Sequence, residues 1–189
     1  MTTQRRRELE AIFARLLEVA GRSNERETAE TPQRAAQLWD EALLAGEGGS
    51  LKDVLNDPIP AESEDPVSML DMGVHMVCPH HLTVSFGKAH VAFKPQRTIV
   101  GFGSLATLVE RATSRLVLQE DATRDIARAL HEQLDSKAAV AAIEATHPCH
   151  NIPHARSHGA RAFTVASAGD PQEAKALEAM IFAAIQERT

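Results

Sequence analysis

The chain has 189 residues, of which 43% are hydrophobic and 24% charged, and its formal net charge is −6 at pH 7. This composition is typical of a soluble globular protein with a sizeable core, and the negative charge disfavours a nucleic-acid groove or an anionic membrane as partner. No apolar run is long enough to cross a bilayer, and the charged N-terminus lacks the apolar core of a signal peptide. We therefore expect a cytoplasmic protein with neither nucleic-acid nor membrane partners.

The N-terminal third of the sequence predicts helices followed by a linker. Apolar residues recur at helical spacing over about the first 20 residues, and Gly21 ends that pattern. Thr31-Pro32 predicts a second helix, with threonine as N-cap and proline at the first helical position. Residues 47–68 are rich in Gly, Pro, Asp and Glu, which is typical of a loop. We expect a helical arm and linker over residues 1–68 and the main domain over residues 69–189.

Strands and helices alternate in groups in the C-terminal two thirds of the sequence. Short apolar or alternating runs predict strands at Val74–Val77, Leu82–Phe86, Ala89–Phe93, Ala138–Thr146 and Ala160–Ser167. Helical spacing predicts helices at Ser104–Arg115 and Thr123–Leu134, and a last helix after Asp170. Paired helices between consecutive hairpins predict an α+β domain with an antiparallel sheet, not a doubly wound one.

Three local signals refine this prediction. Phe86-Gly87-Lys88 has the residues of a hairpin tip between two strands. Thr123 is predicted to cap the helix that follows it. Asp170-Pro171-Gln172-Glu173 has the sequence of a capping box with proline at the first helical position.

The two cysteines both lie beside histidines. Cys78 begins the sequence Cys-Pro-His-His, and Cys149 lies within His-Pro-Cys-His. A disulfide between them is arithmetically possible, but a cytosolic chain of this size does not need one. Thiolate and imidazole are good Zn²⁺ ligands, and three protein ligands leave a fourth position for water, as in catalytic zinc sites. The pattern favours a metal site at the ends of two strands, and ordinary packing of cysteines and histidines is the alternative.

Four sequence motifs resemble those of the GTP cyclohydrolase I family, in the order and at the spacing of that family. They are Cys78-Pro79-His80-His81, Gly87-Lys88-Ala89-His90-Val91-Ala92-Phe93, Arg115-Leu116-Val117-Leu118-Gln119-Glu120 and His147-Pro148-Cys149. The segment around Thr31-Pro32 is similar to the Thr-Pro-x-Arg helix that precedes them in the family. The resemblance covers roughly residues 25–186. It implies a tunnelling fold (T-fold) and a toroidal homodecamer with active sites at the subunit interfaces.

The resemblance also implies a metal centre and two proton-transferring groups. By position, the three zinc ligands are Cys78, His81 and Cys149. The proton-transferring residues are His80 and His147, one beside a ligand in each motif. In the family, water adds to the imidazole ring of GTP, the ring opens and formate leaves, and the ribose then recloses as a dihydropterin.

The substrate-binding residues implied by the resemblance form two groups. Gln119 and Glu120 match the pair that holds the guanine edge, and a carboxylate there accepts hydrogen bonds from the ring N–H and the exocyclic amine of guanine. Arg34 and Arg156 match two of the five cationic groups that face the triphosphate.

The other three cations of the family pattern are missing. Ser104, Thr107 and Gln37 stand where the family has lysine, arginine and lysine, and Pro79 replaces the glutamate of the metal motif. Each lost charge-assisted hydrogen bond costs about 1.5–3 kcal/mol, so the loss of three weakens triphosphate binding by several orders of magnitude. The cations that could compensate are Lys88, Arg97 and Arg161.

Three hypotheses follow from the sequence. The first is a zinc-dependent cyclohydrolase that opens the imidazole ring of a guanine-like purine or related heterocycle with little or no phosphate. The second is GTP cyclohydrolase I proper, which makes 7,8-dihydroneopterin triphosphate and formate from GTP for folate or pterin synthesis. The third is a non-catalytic T-fold binding protein, which the intact set of cysteines and histidines disfavours.

Overall fold

The computed structural model of the protein describes residues 4–153 and 158–187. Contacts between residues divide the chain into two units, Met1–Ala45 and Gly46–Thr189. The boundary that the sequence predicts between residues 68 and 69 separates an arm and linker from a catalytic domain, and it stays a prediction. No helix among the described residues is long and apolar enough to span a membrane.

The first unit is helical, as predicted. It contains helix α1 (Gln4–Val19), a 3₁₀ turn (Arg26–Thr28), helix α2 (Thr31–Leu38) and a π-helical turn (Trp39–Leu43). The predicted role of Thr31 as N-cap is wrong, because Thr31 is already helical and Glu30 occupies the N-cap position without a capping side chain. The Arg5 guanidinium donates to the buried Asp40 carboxylate at 2.6 Å, which ties the start of α1 to the π-helical turn.

The second unit is an antiparallel sheet with helices on both faces. Its strands are β1 (Ile59–Pro60), β2 (Val67–Val77), β3 (Val84–Lys94), β4 (Thr98–Ile99), β5 (Ala138–Thr146) and β6 (Arg161–Gly169). Its helices are α3 (Phe102–Thr113), α4 (Gln119–Leu134), α5 (Pro148–Asn151) and α6 (Pro171–Gln186). The main sheet has the order β2-β3-β5-β6 and every pairing in it is antiparallel, while β1 pairs with β4. The predicted α+β class is confirmed.

Strand β5 is covered on both faces, and its sequence is apolar from Ala138 to Ile143. Ala139, Ala141 and Ile143 belong to the core cluster that includes apolar residues of α3 and α4. Val140 and Ala142 point the other way and belong to the cluster under α6. Successive side chains of a strand alternate between faces, so the stretch of β5 that is covered on both sides carries apolar side chains at successive positions. Small residues along β5 let both helical layers approach the sheet.

The predicted hairpin tip at Phe86-Gly87-Lys88 is wrong. Strand β3 continues through these residues, and Gly87 pairs with Val74 on β2 and with Ala145 on β5. A Cβ atom on Gly87 would lie 1.9 Å from the carbonyl oxygen of Glu144, so glycine is required there by the close approach of β5. The turn before β3 lies upstream, over residues 78–83.

The predicted start of α4 is wrong, and the predicted start of α6 is confirmed. The predicted cap at Thr123 is wrong, because α4 begins one turn earlier at Gln119 and the Thr123 hydroxyl donates to the carbonyl of Gln119 at 2.6 Å. Asp170 is confirmed as the N-cap of α6, since its carboxylate accepts from the amides of Gln172 and Glu173. The Glu173 side chain does not complete the box, because it accepts instead from Lys94 at 2.7 Å.

Candidate active site

The two cysteine motifs lie at the same end of the sheet. Strand β2 ends at Val77, and the turn after it is closed by the amide of Cys78, which donates to the carbonyl of Thr83 at 2.9 Å. Strand β5 ends at Thr146, which pairs with Phe86 near the start of β3. Because β3 is antiparallel to both neighbours, its start lies between the ends of β2 and β5. The topology therefore brings together two segments that are about 70 residues apart.

The three predicted zinc ligands form one cluster. The sulfur atoms of Cys78 and Cys149 and a ring nitrogen of His81 all lie within 4.8 Å of one another. Both cysteines are free thiols, so the alternative disulfide is not formed. The Cys78 sulfur lies 3.7 Å from His81 Nδ1, and the ligands of a tetrahedral zinc ion lie about 3.5–4 Å apart. Two thiols and one imidazole at these distances fit Zn²⁺.

His147 is positioned by hydrogen bonds on both sides of its ring. Its Nδ1 lies 3.0 Å from the hydroxyl oxygen of Ser85 on β3, and its Nε2 lies 2.7 Å from the side-chain oxygen of Gln119 at the start of α4. Burial lowers the pKa of His147 below its ordinary value, although the nearby carboxylate of Glu120 opposes this by raising it. Burial is the larger effect, so the neutral form of the imidazole is favoured.

Gln119 is buried, and its side chain forms hydrogen bonds with other residues of the protein. Only 3% of the residue is exposed. Its amide nitrogen donates to the carbonyl of Ile143 at 2.9 Å, to that of Ala162 at 3.3 Å and to the hydroxyl of Thr164 at 3.0 Å. The expected contact between Gln119 and guanine stays a prediction, and in this structure the side-chain amide bonds to β5, β6 and His147.

The other predicted site residues are exposed to a common cavity. A cavity of about 200 Å³ is lined by the three ligands together with His80, Glu120 and His147. His80 and Glu120 are both exposed. A second cavity of about 410 Å³ shares Glu120 and His147 with the first, and it continues to Asn151 and Arg161. The predicted zinc ligands, the two histidines and the carboxylate that is predicted to bind the base thus line two cavities that share residues.

Within the described part of the second unit, no position that corresponds to a phosphate-binding cation of the family lines either cavity. Ser104 and Thr107 lie in α3, and neither lines the two cavities. Arg34 lies in the first unit, where it pairs with Glu30. Arg156 lies outside the described residues.

Each of the three cations that could compensate is already paired with an acid. Their partners are Asp71 for Lys88, Asp135 for Arg97 and Glu144 for Arg161. Arg161 alone among them lines the cavity beside Glu120.

Ser85 is a site residue that the sequence analysis missed. It is 2% exposed, lines the cavity of about 200 Å³ that the Cys-His-Cys cluster also lines, and contacts His147. Alternation along β3 places residue 85 on the same face as Ala89, Val91 and Phe93, which are core residues. A polar residue at a core-facing position was the signal that could have identified it.

Comparison with known proteins decides the family. The family model described as GTP cyclohydrolase I matches residues 9–186. The chain belongs to the GTP cyclohydrolase I family. The GTP cyclohydrolase 1 of Clostridium perfringens (strain 13 / Type A) is 32% identical over 168 residues, which are 88% of this chain and 90% of the relative. That of Campylobacter jejuni (strain RM1221) is 38% identical over 136 residues, which are 71% of each chain.

A solved structure is also similar to this member of the GTP cyclohydrolase I family. The crystal structure of the archaeosine synthase QueF-Like in the apo form matches with a TM-score of 0.48 and 15% identity. The match covers 58% of this chain and 98% of that chain. The resemblance that the sequence motifs indicated is confirmed by the family model and by the curated relatives.

Proposed function

We propose that the protein is a zinc-dependent cyclohydrolase that hydrolytically opens the imidazole ring of a guanine-type purine, or of a related nitrogen heterocycle, with little or no phosphate. Membership of the GTP cyclohydrolase I family supports a hydrolase of the cyclohydrolase type. The observation that carries the proposal is the single cavity shared by the Cys-His-Cys cluster, two histidines and a carboxylate. A cavity that held only a structural metal would not need these additional groups.

Cys78, His81 and Cys149 would hold the zinc ion. A zinc ion with three protein ligands supplies a Lewis acid and a water of lowered pKa for hydrolysis. The rest of the chemistry belongs to the residues of the chain. His80 is exposed at the cavity, where it can exchange protons with both substrate and solvent. Burial favours the neutral imidazole of His147, which is the form that can accept a proton.

Glu120 would bind the base. It lies in the first turn of α4 with its side chain exposed to the cavity. An ionised carboxylate offers only hydrogen-bond acceptors. Guanine presents a ring N–H and an exocyclic amine on one edge, which match two carboxylate oxygens. Adenine does not offer this pair of donors, so Glu120 favours a guanine-type ring.

The distribution of charged side chains supports a substrate without phosphate. Ser104, Thr107 and Gln37 carry no charge, and each of the four described cations considered as phosphate contacts is paired with a carboxylate. A triphosphate would have to compete with those carboxylates for each cation. A neutral or weakly charged substituent on the base has no such requirement.

The second candidate is GTP cyclohydrolase I proper, acting on GTP and water to give 7,8-dihydroneopterin triphosphate and formate. One observation favours it: Arg161 lines the cavity next to Glu120 and could turn from Glu144 to a phosphate. A substrate screen of the zinc-loaded protein separates the candidates, with GTP, guanosine, guanine and oxidised purines as substrates. Formate release and ultraviolet spectra are the readouts. Turnover of guanosine or guanine in preference to GTP supports the first candidate.

Replacement of either histidine by alanine is expected to reduce turnover without loss of zinc. His80→Ala and His147→Ala should each lower kcat by roughly 10²–10⁴-fold, the usual contribution of a placed general acid or base. His158→Ala is the matched control, because His158 is exposed and lines neither cavity. Zinc content and circular dichroism are measured on all three variants. Rates near wild type in both site variants would assign the two histidines a structural role.

The protein is expected to form a large homo-oligomer, which we propose to be a decamer. Strands β2 and β6 are the two edges of the main sheet, and unpaired edges favour pairing with another chain. Phe163 on β6 is exposed and stacks with Phe182 of α6 at a centroid distance of 5.7 Å, which leaves an apolar surface beside that edge. Light scattering should give about ten times the chain mass of 20.5 kDa. A monomer at micromolar concentration contradicts this prediction.

A further inference from the structure

The imidazole of His147 is held by two residues from different parts of the chain. Gln119 contacts its Nε2 at 2.7 Å and Ser85 contacts its Nδ1 at 3.0 Å. Both residues are almost completely buried, with 3% and 2% of their surface exposed. Solvent therefore cannot easily replace either partner, and a lost hydrogen bond here would leave a buried polar group unsatisfied.

The orientation of the Gln119 amide follows from its neighbours. The amide nitrogen faces the carbonyl oxygens of Ile143 and Ala162 and the hydroxyl of Thr164. A flipped amide would place its oxygen against these two carbonyl oxygens, which cannot donate a hydrogen bond. Thr164 is in turn held by Thr123, with 2.7 Å between the two hydroxyl oxygens. The amide oxygen of Gln119 must therefore face His147.

This orientation determines which nitrogen of His147 carries the hydrogen. A carbonyl oxygen can only accept, so Nε2 of His147 must be the donor to Gln119. In a neutral imidazole the other nitrogen is then unprotonated, and Nδ1 accepts the hydroxyl hydrogen of Ser85. The opposite tautomer would place the lone pair of Nε2 against the Gln119 oxygen at 2.7 Å. That arrangement loses a buried hydrogen bond and adds repulsion.

We propose that Gln119 is a positioning residue that fixes His147 in the Nε2–H tautomer, with Ser85 at the unprotonated Nδ1, and that its side chain does not read the substrate base. The proposal deepens the proposed function, because it rests on His147 acting in proton transfer there. Ser85, Gln119 and His147 all line the cavity of about 200 Å³. Base recognition is then left to Glu120.

The tautomer can be measured on the wild-type protein without any turnover. Full-length, zinc-loaded protein is labelled with ¹⁵N-histidine, and long-range proton–nitrogen spectra are recorded. The His147 signals are assigned by their absence in His147→Ala. The ring nitrogen that correlates with both carbon-bound ring protons is Nε2, and we expect it at the chemical shift of a protonated nitrogen. A protonated Nδ1 in the wild-type protein overturns the proposal whether or not the enzyme turns over GTP or guanosine.

Kinetics of variants separate positioning from base reading. Gln119→Leu should give averaged tautomer shifts and lower kcat by about 10–100-fold, which is usual for a partner that orients a functional histidine, with KM little changed. Glu120→Gln should act mainly on KM. Ser85→Ala should keep the Nε2–H tautomer, because Gln119 is intact. A Gln119→Leu variant with raised KM and unchanged kcat overturns the proposal, as does one whose His147 spectrum is identical to wild type.

Discussion

Cys149→Ala protein is expected to lose most of its bound zinc and all measurable turnover. Four-ligand zinc sites bind with apparent free energies of about 10–16 kcal/mol, so one ligand contributes about 2.5–4 kcal/mol and its loss weakens binding by about 70- to 900-fold. Cys149 lies in the short helix α5, while Cys78 and His81 lie in the turn after β2. Removal of the Cys149 thiol therefore leaves only Cys78 and His81, which lie in the same turn, as protein ligands.

Elemental analysis of protein purified without chelator measures this effect. Wild-type protein should retain about one zinc ion per chain, as a site with three protein ligands predicts. His80→Ala is the matched control, since it removes a neighbouring imidazole that is surplus to the ligand set. Circular dichroism and oligomer mass show whether Cys149→Ala still folds. Zinc retained at the wild-type level in the folded Cys149→Ala variant would contradict the proposed ligand set.

Local periodicity predicted most of the second unit because its elements have strong patterns. Strand β5 and helix α6 were predicted close to their observed bounds, since each is a long apolar or amphipathic segment with clear ends. Gly87 misled the prediction because glycine followed by lysine is typical of a turn. Strands pair on both sides of it, and this tertiary pairing overrides the local preference. Strand β2 began at Val67, seven residues before the predicted start, because a bulge near Asp71 hides its alternation.

The candidate site was predicted in composition but not in its internal hydrogen bonding. The adjacent cysteines and histidines are visible in the sequence, and the fold brings their motifs together as one cluster. The partners of His147 are 28 and 62 residues away from it in sequence. Their contact depends on the register between β3 and β5 and on where α4 begins, which spacing alone cannot determine. This is why the contacts of Gln119 and Ser85 with His147 could not be predicted from the sequence.

Wild-type protein is expected to bind GTP several orders of magnitude more weakly than a triphosphate enzyme with the full set of cations. A pocket that keeps Glu120 but has lost three of the family's cations attracts a polyanion less, so the effect should exceed the simple loss of three contacts. Guanosine carries the same base without the phosphates and should be the better ligand. Isothermal titration of zinc-loaded protein with each compound compares the two directly.

Restoring positive charge on α3 is expected to reverse part of the preference for guanosine over GTP. Ser104→Lys and Thr107→Arg together place two cations on α3, at positions that would face a substrate across a subunit interface in the proposed ring. Each charge-assisted contact contributes about 1.5–3 kcal/mol, so affinity for GTP should rise by at least tenfold while that for guanosine stays constant. The gain should shrink at high salt, because screening weakens partly exposed charges. A cation near the N-terminus of a helix costs about 0.3–1 kcal/mol of stability, so thermal unfolding is measured alongside.

A control variant distinguishes a phosphate site from a general increase in charge. Ser50→Lys with Ser63→Arg adds the same charge at exposed positions of the segment between the helical unit and the sheet. If α3 forms part of a former phosphate site, only the α3 pair should strengthen GTP binding, and it should do so most at low salt. Equal gains from both pairs would mean that net charge alone governs binding. If wild-type protein already binds GTP with micromolar affinity and releases formate stoichiometrically, the uncharged side chains of Ser104 and Thr107 do not exclude triphosphate, and Arg161 beside Glu120 becomes the residue to test next.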